Sequence, residues 1–177
     1  MPLIHVTTPE NAQGQVKEVY DQVAAAFGRV PNAMQIYSAS PELLASSWQG
    51  ISYYSQHPTL NFVLLAMMRM LISEAGKCDY CVGFNESLLI NVAGLPAEQV
   101  AAARRNPADA PLGEKDKAML LFTLKATHDS NAVSKTDIDH LHAMGWTDRD
   151  ILDGLGHAAH MVAADVLLNA LKVENDF

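Results

Sequence analysis

The stretch from Leu60 to Ala75 constrains the fold of this 177-residue chain more than any other segment. Its apolar residues recur at steps of three and four, the period of an α-helix, but they cover more than one face of that helix. Several neighbouring elements must therefore bury it. Gly76 ends the helix, and a pair of cysteines, Cys78 and Cys81, follows at once. The sequence predicts a buried central helix that leads directly into a Cys-x-x-Cys motif.

Helix start and stop signals divide the remaining sequence. Ser40-Pro41-Glu42 is typical of a helix N-terminus, while Ser134 to Asp137 and Thr147 to Asp150 are variants of the capping box. No run of residues alternates like a strand over a useful length. We therefore predict an all-α fold, a single-domain helical bundle. The expected helices cover residues 9–27, 41–54, 60–75, 79–92, 97–105, 114–127, 138–144 and 151–172.

The predicted bundle has three parts, which are N-terminal helices over residues 1–57, a core with the cysteines over 58–105 and a second helical half over 114–177. Gly94 to Val100 is similar to Gly145 to Ile151, which is compatible with an internal helical duplication at an offset of 51 positions. Convergent capping chemistry accounts for this similarity about as well.

Charge and apolar patterning exclude several classes of partner. The formal net charge is -8, and the largest basic cluster is the short pair Arg104-Arg105, so we expect neither nucleic acid nor anionic membrane as a partner. The longest apolar region, Phe62 to Ile72, is shorter than the roughly 20 residues of a membrane span. The N-terminus lacks the pattern of a signal peptide. We expect a cytoplasmic protein.

The cysteine pair has a spacing suited to dithiol chemistry. In a reducing compartment, such a pair is more often catalytic or metal-binding than a structural disulfide. At the start of a helix, Cys78 and Cys81 lie on one face, and the positive end of the helix favours the thiolate of the first. These arguments make Cys78 the attacking and Cys81 the resolving thiol, with Lys77 adding a positive charge beside them.

Two other interpretations of the pair stay open. The cysteines form half of a zinc site if His157 and His160 supply the other ligands, since those histidines lie one turn apart on the apolar last helix. Those histidines are also compatible with a shared proton site, or with hydrogen bonds to backbone carbonyls. The cysteines are also compatible with simple packing as small apolar residues. We favour the dithiol and expect neither a metal nor a cofactor.

Several further segments match the features of one known family. The matching segments are Gly28-Arg29-Val30-Pro31-Asn32, Ser40-Pro41-Glu42-Leu43-Leu44, the cysteine segment from Gly76 to Phe84, Leu141 to Asp148, and Asn169 to Glu174. They resemble the alkylhydroperoxidase D and carboxymuconolactone decarboxylase superfamily, and within it the uncharacterised peroxidase-related proteins. The resemblance covers nearly the whole chain. It implies a helical bundle that forms homo-oligomers and a dithiol that reduces organic hydroperoxides.

The resemblance also implies roles for partners and for single residues. The dithiol is expected to be recharged by a lipoyl-type or thioredoxin-like dithiol reductant. By motif, Cys81 matches the cysteine that attacks the peroxide, which is the reverse of the order derived from the helix dipole, so the order stays open. The family's proton relay uses a glutamate and two histidines at the positions that Ala66, Tyr80 and Asn85 occupy here. Alanine and asparagine have no group that titrates near neutral pH, and an unperturbed tyrosine has a pKa of about 10.

Replacements for the missing relay are limited in the sequence. Glu74 precedes Cys78 by four residues, but Gly76 interrupts the helix between them. His157 and His160 are the other candidates. Our hypothesis is a thiol-dependent oxidoreductase that reduces hydroperoxides. The alternatives are an oligomeric fold relative without turnover, which has a binding or scaffold role, and an enzyme similar to carboxymuconolactone decarboxylase.

Overall fold

The computed structural model describes residues 2–177, and this part of the chain is helical without strands, as the sequence predicts. It consists of two compact units. The first comprises the residues up to His57 together with Leu167–Asp176, and the second comprises Pro58–Val166 together with Phe177. The α-helices are α1 (Gly14–Phe27), α2 (Asn32–Gln35), α3 (Pro41–Ser55), α4 (Phe62–Ala75), α5 (Asp79–Ser87), α6 (Ala97–Arg105), α7 (Glu114–His128), α8 (Lys135–Ala143) and α9 (Asp148–Ala170).

Most helix boundaries agree with the sequence signals, because local chemistry sets them. Gly28 ends α1 in the left-handed conformation with φ of 77°, which favours glycine. Ser134 and Asp137 form the capping box that starts α8. Helices α8 and α9 each begin three residues earlier than predicted, and the short helix α2 was not predicted. Larger shifts occur at two other boundaries. Residues Pro9–Asn11 form a separate 3-10 turn before α1, and the helix after the cysteines changes at Leu88–Val92 into a π-helical turn.

The first unit has a core between α1 and α3. Its buried residues include Val16, Val19, Tyr20, Val23 and Leu44. The segment Gly28 to Asn32, which carries part of the family resemblance, binds the C-terminal segment. The carboxylate of Asp176 accepts hydrogen bonds from Nη1 of Arg29 at 2.8 Å and from the backbone amide of Asn32 at 2.7 Å.

Helix α4 is the centre of the second unit, as the sequence predicts. Asn61 caps its N-terminus by accepting a hydrogen bond from the amide of Leu64 at 3.0 Å. Between Leu64 and Ser73 every residue except Arg69 is buried, and Arg69 is partly buried. Helices α5 and α7 pack against α4. The cysteine motif is therefore attached to the most deeply buried helix of the unit.

Helix α9 combines a buried face with an exposed apolar face. Leu152 and Val166 are 71% and 62% exposed, whereas Ala158 and Asp165 are buried. By length and composition alone, α9 is the one helix within residues 2–177 that could cross a membrane, but core helices of soluble proteins also meet this criterion. The exposed residues form a stripe along the helix, because Leu152 and Val166 are separated by four turns.

Candidate redox site

A tight turn between α4 and α5 positions the two cysteines. Lys77 has a positive φ of 52°, and the backbone amide of Cys78 donates a hydrogen bond to the carbonyl of Ser73 at 3.0 Å. Cys78 is thereby placed at the N-cap of α5, and Cys81 lies in its first turn. The side chain of Lys77 is exposed. The turn therefore brings both thiols to the positive end of a helix that lies against α4.

The two thiols share a buried site with a carboxylate from α9. Cys78 and Cys81 are 1% and 4% exposed, and both are free thiols. A carboxylate oxygen of Asp165 and the two sulfur atoms all lie within 4.8 Å of one another. Asp165 is only 3% exposed. The site therefore combines two electron donors with one proton acceptor.

The two oxygens of Asp165 have different surroundings. The hydroxyl of Ser73 donates a hydrogen bond to Oδ1 at 2.8 Å. Among residues 2–177, no N–H or O–H group donates a hydrogen bond to Oδ2, which is fully buried. The remaining hydrogen-bond partners of the carboxylate are the thiols of Cys78 and Cys81. Gly76 provides the space for this oxygen, because a Cβ atom at Gly76 would lie 2.7 Å from Oδ2. A buried carboxylate oxygen without a partner is unfavourable for stability. Such an oxygen is uncommon in folded proteins, which distinguishes Asp165 from the other buried polar groups of the site.

The pair of thiols is electrostatically asymmetric. The pKa of Cys78 lies below the ordinary value of a thiol, because the side chain of Cys81 donates a hydrogen bond to its sulfur and the backbone amide of Cys81 also favours the thiolate. The pKa of Cys81 is strongly raised by the loss of that hydrogen bond on ionisation, by burial, and by the negative charges of Cys78 and Asp165. Cys78 is therefore the more acidic thiol of the reduced pair, and Cys81 holds its proton more tightly.

The carboxyl group of Asp165 is itself shifted. Burial raises the pKa of Asp165, while the hydroxyl of Ser73 and the two thiols act in the opposite direction. A raised pKa makes the carboxylate a stronger base than an exposed aspartate. The rise in the pKa of Cys81 comes mainly from Cys78, so it belongs to the reduced pair and is relieved once the sulfur of Cys78 is oxidised and no longer a thiolate.

On the other flank of Cys81 lies a cation. Nε of Arg69 donates a hydrogen bond to Oδ1 of Asn85 at 2.6 Å, and Nδ2 of Asn85 donates to the carbonyl of Cys81 at 2.8 Å. Nη1 of Arg69 lies 3.3 Å from Nε2 of His157. Burial lowers the pKa of Arg69 to about 10, and the charge of Cys81 opposes this shift. Arg69 is still a cation at neutral pH.

The other residues predicted for the site lie in different environments. The carboxylate of Glu74 is exposed and accepts hydrogen bonds from Arg104 at 2.9 and 3.1 Å, so it does not replace the missing glutamate of the relay. His160 is exposed, and within residues 2–177 it does not belong to the group of close ligand atoms around the cysteines. Tyr80 is buried, and its ring packs against Phe84 and Phe177. It serves packing beside Cys81.

The zinc site considered from the sequence does not form. Within residues 2–177, the one group of three or more close metal-ligand side chains is Cys78, Cys81 and Asp165, and neither His157 nor His160 joins it. His157 is instead bonded to Arg69. Three donors are one fewer than a closed structural zinc site requires.

Sequence reasoning missed Asp165 and Arg69, which flank the dithiol. Each was visible as a charged residue within an apolar helix. Asp165 is the one acidic residue between Asp153 and Glu174, and Arg69 interrupts the apolar residues of α4. A charged residue at the buried side of such a helix needs a partner or a function. This signal identifies both positions, although it does not show that they meet the cysteines.

Comparisons with known proteins identify the fold. No family model and no curated protein matches the sequence. Among solved structures, the uncharacterized peroxidase-related protein of Silicibacter sp. TM1040 has a TM-score of 0.82 at 20% identity, with 99% of this chain and 95% of that chain covered. The alkylhydroperoxidase AhpD core protein of Ralstonia eutropha JMP134, also peroxidase-related, has a TM-score of 0.78 at 21% identity, with 98% and 94% covered.

A third structure with this fold has a different named activity. The debrominase Bmp8, in a variant with one cysteine replaced by alanine and with 2,3,4-tribromopyrrole bound, has a TM-score of 0.77 at 16% identity. The alignment covers 99% of this chain and 94% of that chain. The chain therefore has the alkylhydroperoxidase D fold that the sequence resemblance implies, and this fold accommodates more than one activity.

Proposed function

We propose that this protein is a thiol-dependent oxidoreductase of the alkylhydroperoxidase D type, which reduces hydroperoxides by a cycle between a dithiol and a disulfide. The observation that carries the proposal is the pair of free thiols, Cys78 and Cys81, held side by side at a helix N-terminus with opposite shifts of their pKa values. Such a pair combines a nucleophilic thiolate with a resolving thiol.

The reaction proceeds in two steps. The thiolate of Cys78 attacks the terminal oxygen of the hydroperoxide, the O–O bond breaks, and the alkoxide leaves and takes up a proton to form the alcohol. Cys78 becomes a sulfenic acid. The sulfur of Cys81 then attacks the sulfur of Cys78, the S–O bond breaks, and water leaves. The substrate has gained two electrons, and the protein carries a disulfide.

Consumption of hydroperoxide in the presence of a dithiol reductant tests the proposal. We expect wild-type protein to consume hydroperoxide, whereas Cys78→Ser does not react and Cys81→Ser stops at a sulfenic acid on Cys78, which a sulfenic-acid reagent and mass spectrometry detect. Unchanged turnover in Cys81→Ser would contradict the dithiol cycle. A sulfenic acid that forms on Cys81 in Cys78→Ser, and not on Cys78 in Cys81→Ser, would reverse the order of attack.

Two of the alternatives from the sequence have their own signatures in this assay. A disulfide that forms and is reduced reversibly, without consumption of any hydroperoxide, favours the scaffold role. Conversion of a lactone that survives replacement of both cysteines favours chemistry similar to carboxymuconolactone decarboxylase. The dithiol cycle requires that replacement of both cysteines abolishes all turnover.

The cycle needs an electron donor that reaches a buried pair. We propose a dithiol reductant of the lipoyl or thioredoxin type, because a dithiol resolves the mixed disulfide within one molecule. Comparison of reduced lipoamide, thioredoxin and glutathione as the reductant of the oxidised protein tests this choice. Equal rates with all three at equal thiol concentration would contradict it.

We also propose that the protein forms a homo-oligomer. The stripe on α9 that includes Leu152 and Val166 exposes apolar side chains along four turns. We expect Leu152→Glu combined with Val166→Glu to reduce the mass measured by light scattering toward that of the 19.2 kDa chain. The matched control is Lys135→Glu, at an exposed position of α8. A mass that is the same in wild type and double variant would contradict an interface at this stripe.

Removal of a halogen from an aromatic ring is a second candidate function. It is favoured by the similarity to the debrominase, whose structure holds a brominated pyrrole. The same dithiol supplies the two electrons, so that an aryl bromide and two thiols give the dehalogenated ring, bromide, a proton and the disulfide. Release of bromide from 2,3,4-tribromopyrrole, measured beside hydroperoxide consumption, distinguishes the two candidates.

A further inference from the structure

Asp165 differs from the other buried polar side chains of the site, because one of its oxygens makes no hydrogen bond that joins two helices. Oδ1 is held by the hydroxyl of Ser73, which fixes the rotamer of the carboxylate. Oδ2 is buried and receives no hydrogen bond from an N–H or O–H group within residues 2–177. A carboxylate oxygen of Asp165 lies within 4.8 Å of the sulfur atoms of both cysteines. A carboxylate that served only to join α9 to α4 would need Oδ1 alone.

The position next to Asp165 is also adapted to this geometry. Gly76 has an ordinary helical φ of -74°, so its conformation does not require glycine. Its missing side chain leaves room for Oδ2, which any Cβ at this position would approach to 2.7 Å. Ser73 and Gly76 therefore fix the carboxylate of Asp165 beside the dithiol.

We propose that Asp165 is a catalytic residue whose carboxylate accepts the proton of Cys81 while Cys81 closes the disulfide with Cys78. The inference rests on the proposed dithiol cycle and assigns the proton transfer in it. The glutamate and histidines of the family relay are replaced here by Ala66, Tyr80 and Asn85, so the base comes from a different helix.

The proton balance of the step is complete. The sulfur of Cys81 forms the S–S bond and gives its proton to the carboxylate of Asp165, while the S–O bond of the sulfenic acid on Cys78 breaks. The leaving hydroxide receives that proton from Asp165 and departs as water. When a dithiol reductant opens the disulfide, Asp165 takes a proton from the incoming thiol and returns it to the sulfur of Cys81.

The surrounding charges are compatible with this direction of transfer. The groups that face Asp165 and Cys81 are Cys78 at the N-cap of α5, Ser73 and Arg69 from α4, and His157 from α9 through its contact with Arg69. The cation of Arg69 favours negative charge on Cys81, and the carboxylate of Asp165 opposes it until the carboxylate is protonated. Transfer of the proton from Cys81 to Asp165 keeps one negative charge in the site, whereas loss of that proton to solvent would leave two.

Asp165→Asn tests the proposal in an assay that requires no peroxidase activity. The reduced protein is treated with diamide, an azo oxidant, which forms an adduct with the first thiolate and is released as the hydrazine when the second thiol closes the disulfide. Acid quenching, alkylation and intact-mass measurement follow closure. Alkylation of Cys78 in the reduced protein by iodoacetamide, measured over the same range of pH, reports the thiolate independently.

The expected result separates proton transfer from simple electrostatics. Removal of the carboxylate charge lowers the pKa values of the thiols, so Asp165→Asn should be alkylated at least as fast as wild type. Disulfide closure should nevertheless be roughly 100-fold slower at neutral pH, the loss typical of a missing general base, and the difference should narrow at alkaline pH. Closure as fast as in wild type would overturn the proposal.

Two further variants keep the test decisive. Asp150→Asn makes the same change at another buried aspartate of α9 and should leave the closure rate of the folded protein unchanged. Gly76→Ala keeps the carboxyl group but displaces Oδ2, and it should also slow closure. Normal closure in Gly76→Ala and Asp165→Asn together would overturn the assignment, even in a protein that consumes hydroperoxide. If the wild-type protein consumes no hydroperoxide but disulfide closure is slow in both variants, only the proposed substrate is contradicted, and the role of Asp165 stands.

Discussion

Helix α9 carries two buried aspartates whose surroundings are opposite in kind. Both oxygens of Asp150 accept hydrogen bonds, Oδ1 from the hydroxyl of Thr59, and Oδ2 from the hydroxyl and amide of Thr147 at 2.6 and 3.0 Å. Asp165 has one bonded oxygen and one free oxygen. The two residues are separated by about 22 Å along the helix, at 1.5 Å a residue. Burial alone therefore does not distinguish the two carboxylates, whereas the number of their hydrogen-bonded oxygens does.

The comparison assigns a structural role to Asp150. Its carboxylate completes the capping box of Thr147 and also lies in the first turn of α9, where negative charge is favourable. Asp165 lies in the interior of the helix, far from that end, and gains nothing from the helix dipole. The energetic consequence is that replacement of each aspartate by asparagine should affect stability in opposite directions.

The largest effect on stability is expected for Asp150→Asn. An asparagine has one acceptor oxygen, so its NH₂ group must face a donor where Asp150 accepted a hydrogen bond. We expect the free energy of unfolding to fall by about 2–3 kcal/mol, since hydrogen bonds to a charged group contribute about 1.5–3 kcal/mol each. Urea unfolding followed by circular dichroism measures this loss. An unchanged urea midpoint would remove the structural half of the comparison.

The capping role of Asp150 was visible in the sequence, because it depends on residues that are near in the chain. Thr147 and Asp150 have the spacing of a capping box, as do Ser134 and Asp137, and these boxes start α9 and α8 in the structure. The same locality explains why most helices could be predicted. The π-helical turn at Leu88–Val92 has no comparable local signal, so the predicted helix was extended through it without a change.

The site was only partly predictable, for the corresponding reason. The cysteines are neighbours in sequence, and the turn at Gly76 and Lys77 that places them at a helix start is encoded locally. The approach of Asp165 depends on how α9 packs against α4 and α5, which no local pattern contains. The family pattern indicated what was missing at Ala66 and Asn85, but it gave no position for a replacement.

A smaller loss of stability is expected for Gly76→Ala, which tests whether the space beside Oδ2 is required. The new methyl group would meet the carboxylate at 2.7 Å, so Asp165 must move. We expect the free energy of unfolding to fall by about 1–2 kcal/mol. This is at the lower end of typical overpacking costs, because the side chain of Asp165 can move and the backbone need not. Gly50→Ala is the control, since a Cβ there meets nothing within 4 Å, and alanine should stabilise helix α3 slightly. Equal unfolding midpoints for Gly76→Ala and wild type would show that the contact is not restrictive.

Asp165→Asn should change stability less than Asp150→Asn, and with the opposite sign at neutral pH. The pKa of Asp165 is raised in the folded state by burial, so the folded protein binds its proton more tightly than the unfolded chain does. Stability therefore decreases as pH rises from the ordinary aspartate pKa through the raised one, and the penalty is complete above it. Asp165→Asn lacks this penalty. Its advantage over wild type should grow with pH across that window, as thermal unfolding at a series of pH values would detect, and an advantage that shrinks instead would contradict the raised pKa.

Ser73→Ala should have the smallest effect on stability and the most specific effect on the site. It removes the hydrogen bond to Oδ1 at 2.8 Å and should cost about 1 kcal/mol. Because the hydroxyl of Ser73 favours the ionised carboxylate, its loss should raise the pKa of Asp165 further. A larger fraction of Asp165 is then protonated at a given pH and cannot accept the proton of Cys81, so the pH dependence of disulfide closure should move to higher pH. Ser55→Ala, which removes a hydroxyl bonded to the carbonyl of Ser52, should leave this dependence unchanged. A profile in Ser73→Ala that coincides with that of wild type would mean that the titration of Asp165 does not govern closure, because the one hydroxyl that holds its carboxylate could be removed without effect.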